Sequence, residues 1–442
     1  MFSRNLLETT KGRFTGFGLM YISEGIPYGF TSAAMVAFMR TEGISIEKIG
    51  IFVAALFIPW AFKWVLAPMV DLIKLNRFGG RKAWIVACTC LMILTLLITA
   101  SIDFETDFQL LLMMVVLNNI FCATQDVAID SLAVSTLKAD ERARGNGYMF
   151  GGQYLGIALG GGGAIFVYGT FGFNITLMYI STLLLLNLIF IIFFIKDPGV
   201  NEKPVERNGS LVTVLIRTLL TFTKEVYASF WQSGNAPKIG VLFSILPIGT
   251  MALGYAILGT IQVDYGLNQN QIAMLSIYNT IAGALGCIIG GILADKYGQK
   301  KMLSLYISLT VIPTLALAIE ISNVGLAAVS IQLFYGVIIM HGLTFGMAFG
   351  VHAGIFMGMT NPAVAATQFT AFMAMTNLAI SMANYWQGMV AERIGYAMVF
   401  YIDAILVLLP LSVIPFLRTR EEELALSESD SFISAEPAYV TD

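Results

Sequence analysis

The sequence predicts an all-α membrane protein of twelve transmembrane helices in two pseudo-symmetric six-helix bundles, and three observations carry that prediction. Hydrophobic residues make up 57% of the 442 residues and charged residues only 12%, against roughly 25% charged in a soluble domain. Mean hydropathy is +0.78. So little polar surface cannot coat a water-soluble globule, which excludes an ordinary cytosolic enzyme and a disordered chain. A net charge of −3 leaves no basic footprint for nucleic acid. Second, the apolar residues collect in twelve continuous runs near the roughly 20 residues that cross a bilayer as a helix. Continuous rather than alternating runs exclude a β-barrel. Third, with the N-terminus in the cytoplasm, 21 of the 25 Lys and Arg fall on cytoplasmic segments and only Arg40, Lys48 and Arg393 outside, with Lys63 inside a span. That asymmetry is the positive-inside rule.

The first bundle occupies residues 1–195, with spans at about 14–39, 46–69, 84–101, 108–136, 147–168 and 174–195. Residues 196–238 form a cytoplasmic linker. Its stretch 198–210 is rich in Pro, Asn and charge, while 211–232 sets Leu215, Leu219, Phe222, Val226 and Phe230 at helical spacing. The latter reads as an amphipathic interfacial helix; a thirteenth span is the alternative, disfavoured by Lys224 and Glu225. The second bundle occupies 239–418, with spans at about 239–262, 270–293, 302–319, 328–351, 363–388 and 394–417. Residues 419–442 form an acidic tail, expected to be disordered and, from the even span count, cytoplasmic. The four Cys lie in apolar runs without disulfide or zinc spacing, and His341 and His352 are 11 apart, so no metal or cofactor is expected. The first run is too long for a cleavable signal peptide.

The two halves echo each other in one loop. After span 2 come Pro68, Asp71, Gly79, Gly80, Arg81 and Lys82; after span 8 come Gly291, Asp295, Gly298, Lys300 and Lys301. An acid at the helix end, a glycine for the reversal and a basic pair on the inner surface make chemical sense together. The second copy resembles the loop signature of the major facilitator superfamily, whose members have two parallel six-helix halves. Within it, four stretches resemble the AmpG-type muropeptide permeases and the wider peptide, acetyl-coenzyme A and drug transporter group. They are Glu24-Gly25-Ile26-Pro27-Tyr28-Gly29, Phe62-Lys63-Trp64 with Ala67-Pro68-Met69-Val70-Asp71, Ala123 to Asp130 running on to Glu141, Arg142 and Gly145, and Ala366-Thr367-Gln368-Phe369. Two departures stand out: the muropeptide permeases commonly carry extra hydrophobic segments between the halves, and span 7 here reads Leu246-Pro247-Ile248-Gly249 with no charge.

The resemblance implies a secondary active transporter: import of a polar solute such as an anhydro-muropeptide by proton symport and alternating access across a bacterial inner membrane, with both termini cytoplasmic. A siderophore, peptide or acetyl-coenzyme A-type substrate is the alternative. The proton gradient would be the driving force, the lipid bilayer the surroundings, and the chain a monomer without nucleic acid. A membrane-embedded transferase would need a nucleophile–base cluster at one face, which the sequence lacks, and no nucleotide-binding motif supports a pump. The glycines from Gly145 to Gly163 are no phosphate loop; Gly152, Gly156 and Gly160 instead suit close helix packing.

Ionisable residues at membrane depth cost at least ~2.5 kcal/mol on insertion scales and so need a reason. Glu24 lies ten residues into span 1, about 15 Å deep, beside Pro27 and two glycines. Asp126 and Asp130, four apart, share one face of span 4 with Asn119. Counted from the outer ends of their spans, Asp126 and Lys63 reach similar depths, about 27 and 26 Å, which predicts an ion pair. Glu24, Asp126 and Asp130 are the candidate proton-coupling acids and Lys63 their partner; static packing of the same groups is the alternative. Asp403 has no evident partner or role. The candidate substrate cavity gathers Tyr28, Asn119, Gln125, Gln153, Tyr154, Tyr278, Asn279, His341, Gln368, Asn377, Asn384 and Gln387, amides that equally serve interhelical bonding. The candidate gating loops carry Asp71, Gly80, Arg81, Arg142, Gly145, Asp295, Gly298 and Lys300.

Overall fold

The computed structural model describes residues 5–73, 75, 79–102, 106–138, 141–198, 210–231, 236–360 and 365–418. Among these residues all regular structure is helical, and it forms twelve spans. Span 1 runs Thr10–Gly29, passes through a π turn at Phe30–Ala34 and continues as Met35–Thr41. Span 2 is Ile46–Ala61, then Lys63–Leu72 after a step at Phe62. Spans 3 and 4 are Arg81–Thr99 and Phe108–Thr136. Span 5 is Arg142–Ala158, a π turn at Leu159–Gly163 and Ala164–Phe171; span 6 is Phe173–Phe194. A linker helix, Leu211–Trp231, precedes span 7, which comes in two pieces, Ala236–Ser244 and Ala256–Asp264. Spans 8 to 11 are Gln269–Tyr297, Gln299–Val324, Ile331–Met359 and Ala365–Ile394, and span 12 is Tyr396–Leu406 with Leu408–Val413. The acidic tail and most of 198–210 lie outside the described residues.

Eight of these spans are long and apolar enough to cross a bilayer, spans 5 and 12 with a local irregularity. The other four are spans 1, 2 and 7, which are interrupted, and span 11, which is rich in amides and hydroxyls. Interruptions in mid-membrane are tolerated only where protein or a cavity surrounds them, so the breaks in spans 1, 2 and 7 lead to the site. Span 7 is the correction to the sequence reading. The apolar run 239–262 is not one helix, because the chain leaves helical geometry at Ile245 and regains it only at Ala256, with Pro247 unable to donate an intrahelical bond.

Local sequence sets the turns. Ser45 Oγ accepts from Lys48 N at 3.3 Å, starting span 2. Asn268 and Gln271 form a capping box at span 8. The paired loops behave alike: Gly80 opens span 3 at φ 68° and Gly298 separates spans 8 and 9 at φ 97°, conformations that favour glycine. One face of the protein carries the N-terminal turn, Gly80, Glu141 and Asp197; we call it the terminal face. The turns at 41–45, 264–268 and 392–395 form the opposite, distal face.

Span 1 packs along span 5 through facing glycines. A Cβ on Gly156 would sit 2.6 Å from Ile22 O and 2.8 Å from Gly25 Cα, so backbone meets backbone. Between the halves, span 2 lies along span 11 and span 5 against span 8. On the predicted apolar face of the linker helix, Leu215 and Leu219 are half-buried and Phe230 is buried, edge-on to Phe372 of span 11 at 5.1 Å. A second apolar stripe, Val212, Ile216, Leu220, Tyr227 and Trp231, stays exposed.

Candidate functional site

At mid-depth between the halves lies a cavity of about 280 Å3. Its wall takes Glu24 and Tyr28 from span 1, Phe57 and Trp60 from span 2, Gln153 and Tyr154 from span 5, and Tyr255 from span 7. The second half adds Asn279 from span 8, His341, Phe345 and Phe349 from span 10, and Thr376 and Asn377 from span 11. No Lys or Arg lines it among the described residues. The aromatic rings interlock: Phe57 meets Tyr28 at 6.3 Å and Tyr255 at 5.3 Å, and Tyr255 meets Phe345 at 6.2 Å.

Of the residues placed in the cavity from sequence, Tyr28, Gln153, Tyr154, Asn279, His341 and Asn377 do line it. Asn119, Gln125, Tyr278, Gln368, Asn384 and Gln387 do not. Gln125 donates to Thr89 at 2.5 Å inside the first bundle, and Asn119 bonds Val115 O at 3.0 Å and Trp60 Nε1 at 3.4 Å. Tyr278 is exposed and Gln368 is fully buried. Composition shows that a helix carries amides, whereas rotation about its axis decides which of them meet the cavity.

Four of the intramembrane ionisable residues, Glu24, Lys63, Asp126 and Asp130, gather against the cavity wall, while Asp403 lies apart. Lys63 pairs with Asp126 and, at 3.2 Å, with Asp130 Oδ2. The Tyr21 hydroxyl donates to Asp130 Oδ1. Lys63 Nζ also lies 5.8 Å from the Trp60 ring. Glu24 is buried, and its Oε1 accepts from Gln153 Nε2 at 2.6 Å. Its second oxygen, Oε2, is buried and meets no nitrogen or hydroxyl donor; the Asp126 carboxyl stands within hydrogen-bonding reach of Glu24, so the two acids can share a proton. Step, turn and charge coincide: Lys63 begins the second piece of span 2, and Glu24 stands one turn and a half before the π turn of span 1.

The interruption of span 7 is fastened by side chains from spans 9 to 12. Thr310 Oγ1 accepts from Thr250 N at 3.0 Å, and Thr314 Oγ1 donates to Thr250 Oγ1 at 2.8 Å. A ring nitrogen of His341 lies 2.8 Å from Thr250 O. Asn384 Oδ1 accepts from Ala256 N at 3.0 Å, and Asp403 Oδ2 accepts from Ala252 N at 2.8 Å. Gln387 Nε2 reaches Asp403 Oδ1 at 3.4 Å. Asp403, for which the sequence offered no partner, thus binds a backbone amide, and Asn384 and Gln387 serve the same segment.

At the terminal face, two sets of bonds fasten the first half. Arg13 Nε donates to Glu141 Oε2 at 2.8 Å, and Thr10 Oγ1 donates to Glu141 Oε1 at 2.8 Å. The Arg13 guanidinium, with Thr10 and the Lys138 amide, pushes the Glu141 carboxyl down to about 2. The sequence reading missed this pair, although Glu141 stands beside Arg142 in a quoted stretch. Arg81 donates its backbone N to Asp197 Oδ2 at 2.7 Å and its Nε to Ser131 Oγ at 2.9 Å, tying spans 3 and 4 to the end of span 6. Gly145 is buried against Leu137; Asp295 and Gly298 are exposed, and Lys300 opens span 9 half-buried. The side chains of Asp71 and Arg142 lie outside the described residues.

At the distal face the halves are joined. Arg40 grips Asp264 with two bonds of 2.6 and 2.8 Å, Ile46 N donates to Glu392 Oε2 at 2.7 Å, and Gln269 Nε2 donates to Thr41 Oγ1 at 3.1 Å. Beneath them Gly50 and Gly388 touch: a Cβ on Gly388 would lie 2.8 Å from Gly50 Cα. Among the described residues, Arg40–Asp264 is the ion pair that crosses between the halves.

Comparison with known proteins agrees with this geometry. The family model described as Major Facilitator Superfamily matches residues 15–248 and 239–434. The anhydromuropeptide permease of Escherichia coli K12 is 22% identical over 423 residues, covering 94% of this chain and 81% of its own. A Rickettsia conorii transporter designated AmpG 4 is 23% identical over 411 residues, 91% of this chain and 95% of its own. Among solved structures, the nucleoside transporter NupG matches with TM-score 0.66 at 14% identity, over 92% of this chain and 100% of its own. The inward open xylose transporter XylE of E. coli matches with TM-score 0.64 at 16% identity, over 95% of this chain and all of its own.

Proposed function

Because the chain belongs to the major facilitator superfamily, and is therefore an integral membrane transporter rather than an enzyme, we propose that it imports a polar solute together with protons by alternating access. The single observation that carries this reading is Glu24. It stands in the cavity wall with one carboxyl oxygen held by Gln153 and the other buried with no nitrogen or hydroxyl donor, within reach of Asp126 in the Lys63–Asp126–Asp130 cluster. An isolated ionised carboxylate at that depth is costly. A protonated Glu24 adds no third carboxylate charge to Asp126 and Asp130, which already share the one cation Lys63, whereas proton loss on the cytoplasmic side adds that charge and disfavours the loaded state.

The positive-inside count supports a cytoplasmic terminal face, and the relatives support a bacterial inner membrane. With the distal seam closed, this conformation is then the one that opens inward. For the cargo, the relatives suggest an anhydro-muropeptide. The aromatic and amide lining suits its sugar rings, and the lack of a lining cation among the described residues favours entry by that neutral end rather than by its peptide carboxylates.

The test is uptake of labelled anhydro-muropeptide into proteoliposomes under an imposed inward proton gradient, with siderophores, peptides and coenzyme A esters as competitors. Accumulation should collapse with the gradient, and Glu24→Gln should abolish accumulation while preserving exchange. Gradient-independent accumulation would refute proton coupling; competition by another class but not by muropeptides would reassign the cargo.

A further inference from the structure

The interruption of span 7 places backbone amides where neither water nor helical partners can serve them, and in a membrane interior such groups must be met from within the protein. Three amides of the segment are met by side chains from spans 11 and 12, the Met251 amide against Asp403 among them. Asn384 takes Ala256 N, where the helix resumes, and Asp403 takes Ala252 N, inside the 3-10 turn Ala252–Gly254. Asp403 is buried and has no ion pair among the described residues. Three residues beyond its bond the chain delivers Tyr255, whose ring meets Phe57 of the opposite half at 5.3 Å and Phe345 at 6.2 Å.

We propose that Asp403 is a positioning residue: by accepting the Ala252 amide it holds the interrupted segment of span 7 and so sets the Tyr255 ring at the meeting of the two halves. The role follows from acceptor geometry and is independent of which solute or ion is carried. A carboxylate offers two acceptor oxygens and no donor; one serves Ala252 N, the other Gln387 Nε2 at 3.4 Å, and the neighbouring Met251 amide also lies against the carboxylate. An asparagine in its place can do the same work. Its Oδ1 accepts from Ala252 N, and its Nδ2 can donate to Gln387 Oε1, a buried oxygen without a partner. An alanine can do neither. A residue needed for its charge would respond the other way, with asparagine as damaging as alanine.

The experiment is hydrogen–deuterium exchange by mass spectrometry on the purified full-length protein in nanodiscs, comparing the parent with Asp403→Ala and Asp403→Asn. For Asp403→Ala, exchange of the peptide spanning 246–256 is expected to rise at least tenfold while spans 8 and 10 exchange as in the parent. Asp403→Asn is expected to restore parental exchange. If Asp403→Ala fails to fold, Asp403→Ser, too short to reach the amide but still polar, takes its place with the same expectation. Unchanged protection in the truncated variant, or an asparagine variant as loose as the truncated one, overturns the proposal.

Discussion

Substituting Gly388 by alanine tests whether the distal seam is a contact that one conformation makes and another breaks. The new Cβ would stand 2.8 Å from Gly50 Cα and 2.9 Å from Ile46 O, both backbone atoms that no rotamer change can move away. Forcing a methyl group into packed structure costs about 1–3 kcal/mol. That cost falls only on the state in which spans 2 and 11 touch, so the balance shifts about 5- to 150-fold toward states with separated distal ends. A separated population of about 1% in the parent would become about 5–60%. Spin labels at Lys48 and Asn270, exposed at the distal starts of spans 2 and 8, would read the change as a longer-distance component in a double electron–electron resonance experiment. Gly346→Ala is the control. Its Cβ would crowd the backbone of Gly283 within the second half, with the Gly283 carbonyl carbon 2.9 Å away, so it should lower the melting temperature without separating the labels. A Gly388→Ala protein with the parental distance distribution and parental melting temperature would refute the argument.

Two further outcomes follow from the charge geometry. Lys63→Met leaves Asp126 buried without its cation; breaking such a pair costs up to about 3–5 kcal/mol, less here because the Lys63 side chain is 25% exposed. Adding Asp126→Asn should recover much of the lost thermal stability, whereas additive losses would show that the two do not interact. At the terminal face, the Glu141 carboxyl is held at about 2 against an ordinary 4.5, so its ionised form favours the folded state. That contribution is full above about pH 4.5 and fades as pH falls toward 2. Melting temperatures between pH 6 and 3 should therefore fall less steeply for Glu141→Gln than for the parent, and parallel slopes would remove the pair from the account.

What the sequence disclosed and what it hid divide along a physical line. Lys63 and Asp126 could be paired on paper because membrane depth is arithmetic: two helices entering from the same side at a known rise bring two residues to one level. The spacing of Gly152, Gly156 and Gly160 likewise announced a close helix contact, though not that span 1 would be the partner. The interruption of span 7 stayed hidden because Leu246, Ile248, Met251 and Leu253 keep the hydropathy high through the very residues that leave the helix, with Pro247 as the one local signal. Asp403 was opaque for a related reason. Its partner is a backbone amide, which every residue carries and no pattern reveals. Asn384 and Gln387 were legible as polar and illegible in direction, since they serve the same hidden segment and not the cavity.

The placement of charge within the fold has a consequence for how such a protein can change over generations. Glu24, Lys63, Asp126 and Asp130 all belong to spans 1, 2 and 4 of one bundle, while the amides and the histidine of spans 8, 10 and 11 face the cavity from the other. The ionic cluster thus sits wholly in one body, while the other supplies a wall of the cavity free of it. A substitution at Asn279, His341 or Asn377 reshapes one wall without touching any partner of the ionic cluster. A lineage can therefore explore new solutes by drift in its second half while the costly wiring of the first is inherited intact.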